Sequence, residues 1–325
     1  MKEPWFWRDR SVSAQMARAL LAPVSGLYDA GGRLRSALTK PHAAGVPVIC
    51  IGAASIGGAG KTPFALMFAE KLRLRGKIAH FATRGYGGAL TGPVRVNDNH
   101  CAEDVGDEAL LLAAAAATFV AKDRLAGARA AAPGADLVIM DDGFQNPGVK
   151  KDFSILLLGA GDVDKRTRVF PAGPLREPLD AAIARADAII LAGVEIVTGA
   201  GEISGAGKPV FRATTQIVDP PAPGRAVAFS GIANPGRFFA SLEAAGMTLA
   251  GRFAFADHHP FTSAEISKLK SCAAKENAAL ITTEKDFMRI ARDMRDDILT
   301  LRIRTELDDA DRLVDLVLEK IGSSR

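Results

Sequence analysis

The feature that most constrains this chain is an apolar stretch, VPVICIG at 46–52, that runs into a glycine-rich turn and then a helical segment from about Thr62 to Arg75. A strand without a polar face must be covered on both sides, which calls for a sheet with helices above and below it. The rhythm then repeats. KIAHFAT (77–83), PVRV (93–96), TFVA (118–121), DLVIM (136–140), FSILLLG (153–159) and AIILAG (188–193) alternate with helical stretches, among them one from about Asp107 and one from Asp123. This pattern predicts an α/β protein built on a doubly wound, mostly parallel sheet. With 325 residues, 48% hydrophobic and 24% charged, the chain has the composition of a soluble globular protein and the length for one large or two ordinary α/β domains.

A proline- and glycine-rich stretch, DPPAPG at 219–224, divides the chain. Beyond it the same alternation continues on a smaller scale: AVAFSGI (226–232), a helix from about Pro235, a strand near Arg252, a helix from Ser263, ALITT (279–283), ILTLRI (298–303) and a last helix from about Asp308. The expected organisation is an N-terminal segment at 1–45, a core at 46–218 and a smaller α/β lobe at 219–325.

The N-terminal segment stands apart. Met16, Leu20, Val24 and Leu27 fall at helical spacing, which predicts a short amphipathic helix over 12–28, kinked or restarted at Pro23. Both tryptophans, Trp5 and Trp7, lie just before it. Residues 1–45 hold seven basic side chains (Lys2, Arg8, Arg10, Arg18, Arg33, Arg35, Lys40) against three acids (Glu3, Asp9, Asp29). The resulting +4 equals the net charge of the whole chain, so the remainder is balanced and no nucleic-acid-binding face is expected. Such a helix either packs on the protein's own core or lies on a membrane surface. The longest apolar run, Ala109 to Ala121, is too short to span a bilayer, and the N-terminus lacks a signal-peptide pattern. The three cysteines, Cys50, Cys101 and Cys272, are too scattered for a disulfide framework or zinc site and fit a reducing cytoplasm.

The glycine-rich turn carries the strongest chemical signal. Ser55, Ile56, Gly57, Gly58, Ala59, Gly60, Lys61 and Thr62 follow a strand and open a helix. A phosphate-binding loop needs glycines so that backbone N–H groups converge on phosphate oxygens, a lysine for the outer phosphates and a hydroxyl for Mg²⁺. Ser55 stands where the general pattern has glycine. At the end of the 136–140 strand, Asp141 and Asp142 are placed to hold Mg²⁺ beside such a loop, or simply to cap the next turn. Asp107 and Glu108 open a helix, where acids favour the N-terminus, and Asp107 also suits a base for an attacking hydroxyl. His258 and His259 fit either core packing or acid–base chemistry. Arg84 in RGYGG (84–88), and Arg176 with Glu177 in FPAGPLREP (170–178), suit anion contacts or ordinary turns.

Taken in order, SIGGAGKTP, TRGYGG, GDEALLL, AKDR, DDGFQN, FPAGPLREP, FSGIANP, FADHHPFT and TTEKD resemble the tetraacyldisaccharide 4'-kinase family of Gram-negative bacteria, from PWFW to about residue 290. The resemblance implies a P-loop NTPase-like kinase with two lobes. It would use ATP and Mg²⁺ to phosphorylate the 4' hydroxyl of an acylated disaccharide 1-phosphate lipid, at the cytoplasmic face of the inner membrane. It also implies Asp107 as catalytic base paired with His258, Lys61 and Thr62 at phosphate and Mg²⁺, and Asp141 and Asp142 at the metal and nucleotide. Glu108, Arg84 and Glu177 match further family positions. The family usually continues DDGFQ with histidine; Asn146 here keeps hydrogen-bonding capacity without a titratable ring. Two rival classes remain on the residues alone: a P-loop kinase of a soluble metabolite, and a P-loop switch acting on a protein partner. Thr283-Glu-Lys-Asp286 has the wrong order for a guanine-binding motif, which counts against a GTPase switch.

Overall fold

The VICIGA stretch forms a strand buried from end to end, β1 (Val48–Ala53), as its lack of a polar face requires. The computed structural model describes residues 3–57, 60–164, 166–193 and 207–323. Gly58 and Ala59 of the glycine-rich turn lie outside the described residues. Before β1 come a 3-10 turn at Trp5–Trp7 and α1 (Val12–Leu38). After it follow α2 (Lys61–Leu74), β2 (Ala79–Thr83), β3 (Val94–Arg95), α3 (Ala102–Val105), α4 (Asp107–Ala113), β4 (Thr118–Val120), α5 (Arg124–Ala131), β5 (Leu137–Asp141), β6 (Phe153–Gly159), α6 (Leu179–Arg185), β7 (Ala188–Ala192) and β8 (Val210–Val218). Beyond 219–224 are β9 (Arg225–Ser230), α7 (Pro235–Ala244), β10 (Thr248–Ala254), α8 (Ser263–Lys275), β11 (Ala279–Thr283), α9 (Glu284–Phe287), β12 (Ile298–Leu307) and α10 (Ala310–Ser323).

Among the described residues, twelve strands join one sheet in the order β10-β9-β11-β12-β8-β7-β6-β1-β5-β2-β4-β3. Pairing is parallel except for β3 with β4 and β12 with β8. β1 lies between β5 and β6, with Ile51 opposite Asp141. The chain fills one side of β1 through β5 and then crosses to β6, so the carboxyl end of β1 is a topological switch point, where open α/β sheets form their ligand crevice.

Alternate residues of β1 face opposite cores. Ile49 and Ile51 pack with Phe64, Phe68 and Leu72 of α2 and with Leu313, Val314 and Val317 of α10. Val48 and Cys50 pack with Ala128 and Ala131 of α5 and with Ala182 and Ile183 of α6. The sheet crosses the 219–224 stretch without a break, because β12 runs antiparallel to β8 in register from Arg302 opposite Val218 to Leu307 opposite Ala213. α10 then returns to the underside of the first core, where Arg75 pairs with Asp311 and Asp315, and Lys320 donates to Asp187 at 2.6 Å.

The N-terminal helix departs from expectation. It runs unbroken through Pro23 for 27 residues, about 40 Å, rather than ending near 28. A proline removes one helical hydrogen bond, yet the helix continues past it, anchored by contacts on both sides. Before it, the Trp7 indole donates to the Pro171 carbonyl at 3.0 Å. After it, buried Ser25 donates to Val169 O at 2.9 Å and accepts from Ala172 N at 3.1 Å, and Tyr28 packs edge-on against Phe170. Among the described residues no helix is long and apolar enough to cross a membrane.

Because α10 closes the first core, Leu313→Ala, at a fully buried position, should cost about 2–5 kcal/mol in equilibrium denaturation. A loss below about 0.5 kcal/mol would show that this helix is peripheral.

Candidate active site

The glycine-rich turn leaves the buried end of β1 and is walled on one side by the 170–178 loop. Ile56 N donates to Pro174 O and Arg176 N to Ala54 O, each at 2.8 Å, and Ser55 bridges to Leu175. Ser55 turns its hydroxyl inward to Asp162 Oδ2 at 3.0 Å, an oxygen that also accepts from Gly159 N at 2.8 Å. Burial raises the proton affinity of Asp162. Gly60, the N-cap of α2, sits at φ +75°, a left-handed conformation that disfavours side chains. Lys61 and Thr62 are therefore the first residues of α2, with the free N–H groups of a helix start beside them.

β5 ends beside this loop, and its two aspartates are driven apart electrostatically. Asp142, at φ +51°, has Oδ1 3.0 Å from Arg176 Nη1 and 3.5 Å from Lys61 Nζ, while its carbonyl accepts from Arg124 at 2.7 Å. Burial opposes its ionisation, but Lys61, Arg176 and Arg124 outweigh burial and hold the carboxyl below its ordinary range. Asp141 is fully buried, and its Oδ1 has no hydrogen-bond partner. Burial, with Glu108 adding to it, pushes its carboxyl up to about 7 despite Lys61. Two adjacent carboxyls with such different environments are characteristic of functional sites.

Glu177 and Arg84 are less central. Glu177 accepts from Gln145 Nε2 at 3.1 Å and pairs with Arg185. Gln145 in turn lies 3.4 Å from both Ala53 O and Arg176 Nη1, so Glu177 braces the loop wall. Arg84, exposed after β2, contributes its charge to the field at Arg124. Asn146 caps its own turn by accepting from Gly148 N at 2.9 Å.

The second cluster joins α4 to the far half of the chain. Gly106, at φ +85°, lets the backbone before Asp107 pass under Tyr86, where a Cβ would lie 2.3 Å from the Tyr86 carbonyl. Lys122 of the AKDR segment supports the same turn, with its ammonium 3.0 Å from Gly88 O. Asp107 is thereby set inside, 3% exposed. Its Oδ1 accepts from Glu108 N at 2.8 Å, and its Oδ2 accepts from Arg289 Nε at 2.6 Å and from Arg289 Nη2. His258 Nδ1 lies 3.2 Å from that same Oδ2. Burial opposes ionisation of Asp107, but the His258 hydrogen bond and the Lys285 and Arg289 charges outweigh it and hold the carboxyl far below the usual range. His258 stands at φ +60° with its side chain 27% exposed, Tyr86 edge-on to the ring, and Nε2 3.5 Å from Lys285 Nζ.

Lys285 also pairs with Glu108 Oε1 at 3.1 Å, so Glu108 links the two clusters. His259 resolves as a packing residue: it stacks on Phe255, lies edge-on to Phe261 and pairs with Glu265 at 3.0 Å. Arg124, Gln145, Asp162, Lys285, Asp286 and Arg289 were not singled out as site residues from the sequence. Arg124, Gln145, Lys285 and Asp286 lie in the motifs AKDR, DDGFQ and TTEKD, where single polar residues read as solvated or capping side chains, whereas Asp162 and Arg289 lie in no motif.

On the outer side of the 170–178 loop, a cleft of about 1590 Å³ opens between α1 and residues 160–169, lined in part by Trp7, Arg18, Ser25, Gly161, Val163 and Val169. The other face of α1 bears Val12, Met16, Leu20, Leu27, Leu34 and Leu38, all exposed.

A model of the family described as tetraacyldisaccharide-1-P 4'-kinase matches residues 17–322 of this chain. The tetraacyldisaccharide 4'-kinase of Parvibaculum lavamentivorans is 47% identical over 298 residues, spanning 90% of this chain and 87% of that protein. That of Rhodospirillum centenum is 43% identical over 321 residues, spanning 96% and 95%. Among solved structures, LpxK from Aquifex aeolicus, described as an "apo" form in complex with ATP at 2.2 Å, matches with a TM-score of 0.76 at 28% identity. The match covers 94% of this chain and 99% of that one.

The environment of Asp141 generates a test. Its folded carboxyl titrates near 7 against an ordinary 3.8. The folded state therefore binds the extra proton between these values, and stability falls as pH rises through that window. Asp141→Asn should raise the melting temperature relative to wild type at pH 8 in Mg²⁺-free buffer, and this gain should shrink towards pH 4.5. A gain equal at both pH values would refute the assigned environment.

Proposed function

Because the chain belongs to the tetraacyldisaccharide 4'-kinase family, an ATP-dependent transferase of lipid A biosynthesis, we propose that its two charged clusters are the two sides of one phosphoryl-transfer site. Family membership also decides against the soluble-metabolite kinase and the protein-directed switch. The observation that carries the division of roles is the Asp107–His258 contact at 3.2 Å, made between side chains 151 positions apart in sequence.

On the nucleotide side, the loop amides and the N-terminus of α2 orient the ATP phosphates, and Lys61 offsets charge on the outer ones. Asp142, itself held by Arg176, pairs with Lys61 at the loop mouth. Thr62 and Asp141 would hold Mg²⁺: both offer hard oxygen donors, and the unpartnered Oδ1 of Asp141 is an oxygen that a cation would satisfy. When bound, Mg²⁺ neutralises charge on the phosphate oxygens. On the acceptor side, Asp107 is buried behind His258. With hydrogen on Nδ1 facing Asp107, His258 keeps the lone pair on Nε2 for the proton of the sugar 4' hydroxyl. The ionised Asp107 then balances the imidazolium. The family resemblance implies Asp107 as the base, but because it is buried behind the more exposed His258 we assign the base to the dyad, with His258 nearer the substrate and Asp107 supporting it.

The lipid acceptor gives α1 a role. We read residues 1–45 as lying on the cytoplasmic face of the inner membrane, with the exposed apolar stripe towards the acyl chains. The basic side chains among these residues contribute roughly 1 kcal/mol each near an anionic surface. The cleft beside α1, on this reading, receives part of the lipid. In this reading 46–218 together with α10 forms the nucleotide lobe, and the remainder of 219–325 is the smaller lobe that supplies His258 and Lys285.

Labelled ATP and a detergent-dispersed tetraacyldisaccharide 1-phosphate should give labelled lipid product. Lys61→Ala and His258→Ala should each slow turnover by about 10²–10⁴ in folded protein. Absence of lipid product from the wild-type chain overturns the assignment. Separately, the double substitution Leu20→Asp with Leu27→Asp should lower sedimentation with anionic vesicles by about tenfold or more while leaving the melting temperature near wild type. Unchanged sedimentation rules out docking through this face.

A further inference from the structure

One buried cation in the second cluster remains without a role. Arg289, just after α9, is 6% exposed. Its Nη1 donates to Gly231 O and Asp286 Oδ1, both at 2.8 Å, and its other two nitrogens donate to Asp107 Oδ2. Asp286 is fully buried and further fixed by Ser230 Oγ at 2.8 Å, Thr283 Oγ1 at 2.7 Å and Gly231 N at 3.0 Å. All of these anchors come from residues 230–286, whereas Asp107 comes from α4.

Burying a guanidinium between two carboxylates carries a desolvation cost that well-packed apolar side chains would avoid, so cohesion alone is a weak reason for the arrangement. The guanidinium meets one of the two members of the dyad directly and lies 3.5 Å from Nδ1 of the other, on the side away from His258 Nε2. Among the described residues its side-chain polar contacts are all to Asp107, Asp286, Gly231 and His258.

We propose that Arg289, locked by Asp286, is a positioning residue of the phosphoryl-transfer reaction: it fixes the Asp107 carboxylate, in place and ionised, behind His258. Since Arg289 and His258 both belong to the smaller lobe and Asp107 to the nucleotide lobe, the same contact assembles the dyad when the lobes are together. The inference rests on the dyad reading above. The charged groups facing Asp107 are Arg289 and Lys285 from α9 and the turn after it, His258 from the segment before α8 with Asp257 beyond it, and Glu108 on its own helix. Removing the Arg289 charge favours protonation of Asp107, and a protonated Asp107 cannot balance the imidazolium. With the Arg289 cation gone, the Asp107–His258 pair as a whole binds its proton more tightly, and a pair that already holds the proton cannot take one from the hydroxyl; the acidic limb of kcat therefore moves to higher pH.

The test is steady-state kinetics of the full chain with ATP and detergent-dispersed lipid acceptor across pH 5.5–9, using Arg289→Met, Arg289→Lys, Asp107→Asn, His258→Ala and the Asp107→Asn/Arg289→Met double variant. Arg289→Met should lower kcat by about 10² or more, with KM for ATP within about threefold, and should move the acidic limb up by about one pH unit or more. Arg289→Lys, which keeps the charge and loses the fork, should return the limb towards wild type and recover part of kcat. In the Asp107→Asn background, loss of Arg289 should cost no more than about threefold, because the arginine acts through that carboxylate. Folded Arg289→Met with wild-type kcat and limb, or fully additive losses in the double variant, overturns the proposal. Should Arg289→Met not fold, Arg289→Lys decides: lowered kcat at unchanged ATP affinity supports the role, and wild-type kcat refutes it. Near-normal turnover in both Asp107→Asn and His258→Ala would instead bring down the dyad reading itself.

Discussion

Everything at the nucleotide side depends on the parallel pairing of β1 with β5. Ile51 lies opposite Asp141, so the strand that launches the phosphate loop and the strand that ends in two aspartates finish at the same level. No side chain needs to reach across the crevice; the ladder delivers loop and acids together. The 170–178 segment is then pinned along the loop by main-chain hydrogen bonds at Ala54 and Ile56, which leaves Arg176 facing Asp142.

The second constraint is electrostatic and opposite in kind. Asp107 and Asp142 are surrounded by cations and stay charged, whereas full burial and the nearby Glu108 carboxylate outweigh Lys61 and Arg124 at Asp141, which holds its proton far more tightly. Glu108 stands between these regimes, paired to Lys285 on one side and raising Asp141 on the other. Neutralising Glu108 would thus alter both halves of the site without touching either pair of principal residues.

Much of this was legible in the sequence, and the reasons differ by feature. The strands were readable because they are apolar on both faces, and the loop because its glycines and Lys61 stand between a strand and a helix. α1 runs beyond its sequence-based limit near 28 because the contacts that sustain it past Pro23 come from Pro171, Val169 and Ala172, far away in sequence. Arg289 could not be identified as part of the site from local pattern: its partners, Asp107 and Gly231, are 182 and 58 positions away. His258 and His259 were indistinguishable as neighbours in a motif. The fold separates them, turning one towards Asp107 and stacking the other on Phe255.

The return of α10 to the underside of the first core has a consequence for how the chain is made. Leu313, Val314 and Val317 are the lid on the apolar floor formed by β1, α2 and their neighbours. At roughly 5–20 residues per second, about 10–50 s pass between synthesis of α2 and synthesis of that lid. Throughout that interval the nascent nucleotide lobe carries an uncovered apolar face, while α1, already made, carries another. Synthesis therefore presents two sticky surfaces early and covers one of them last.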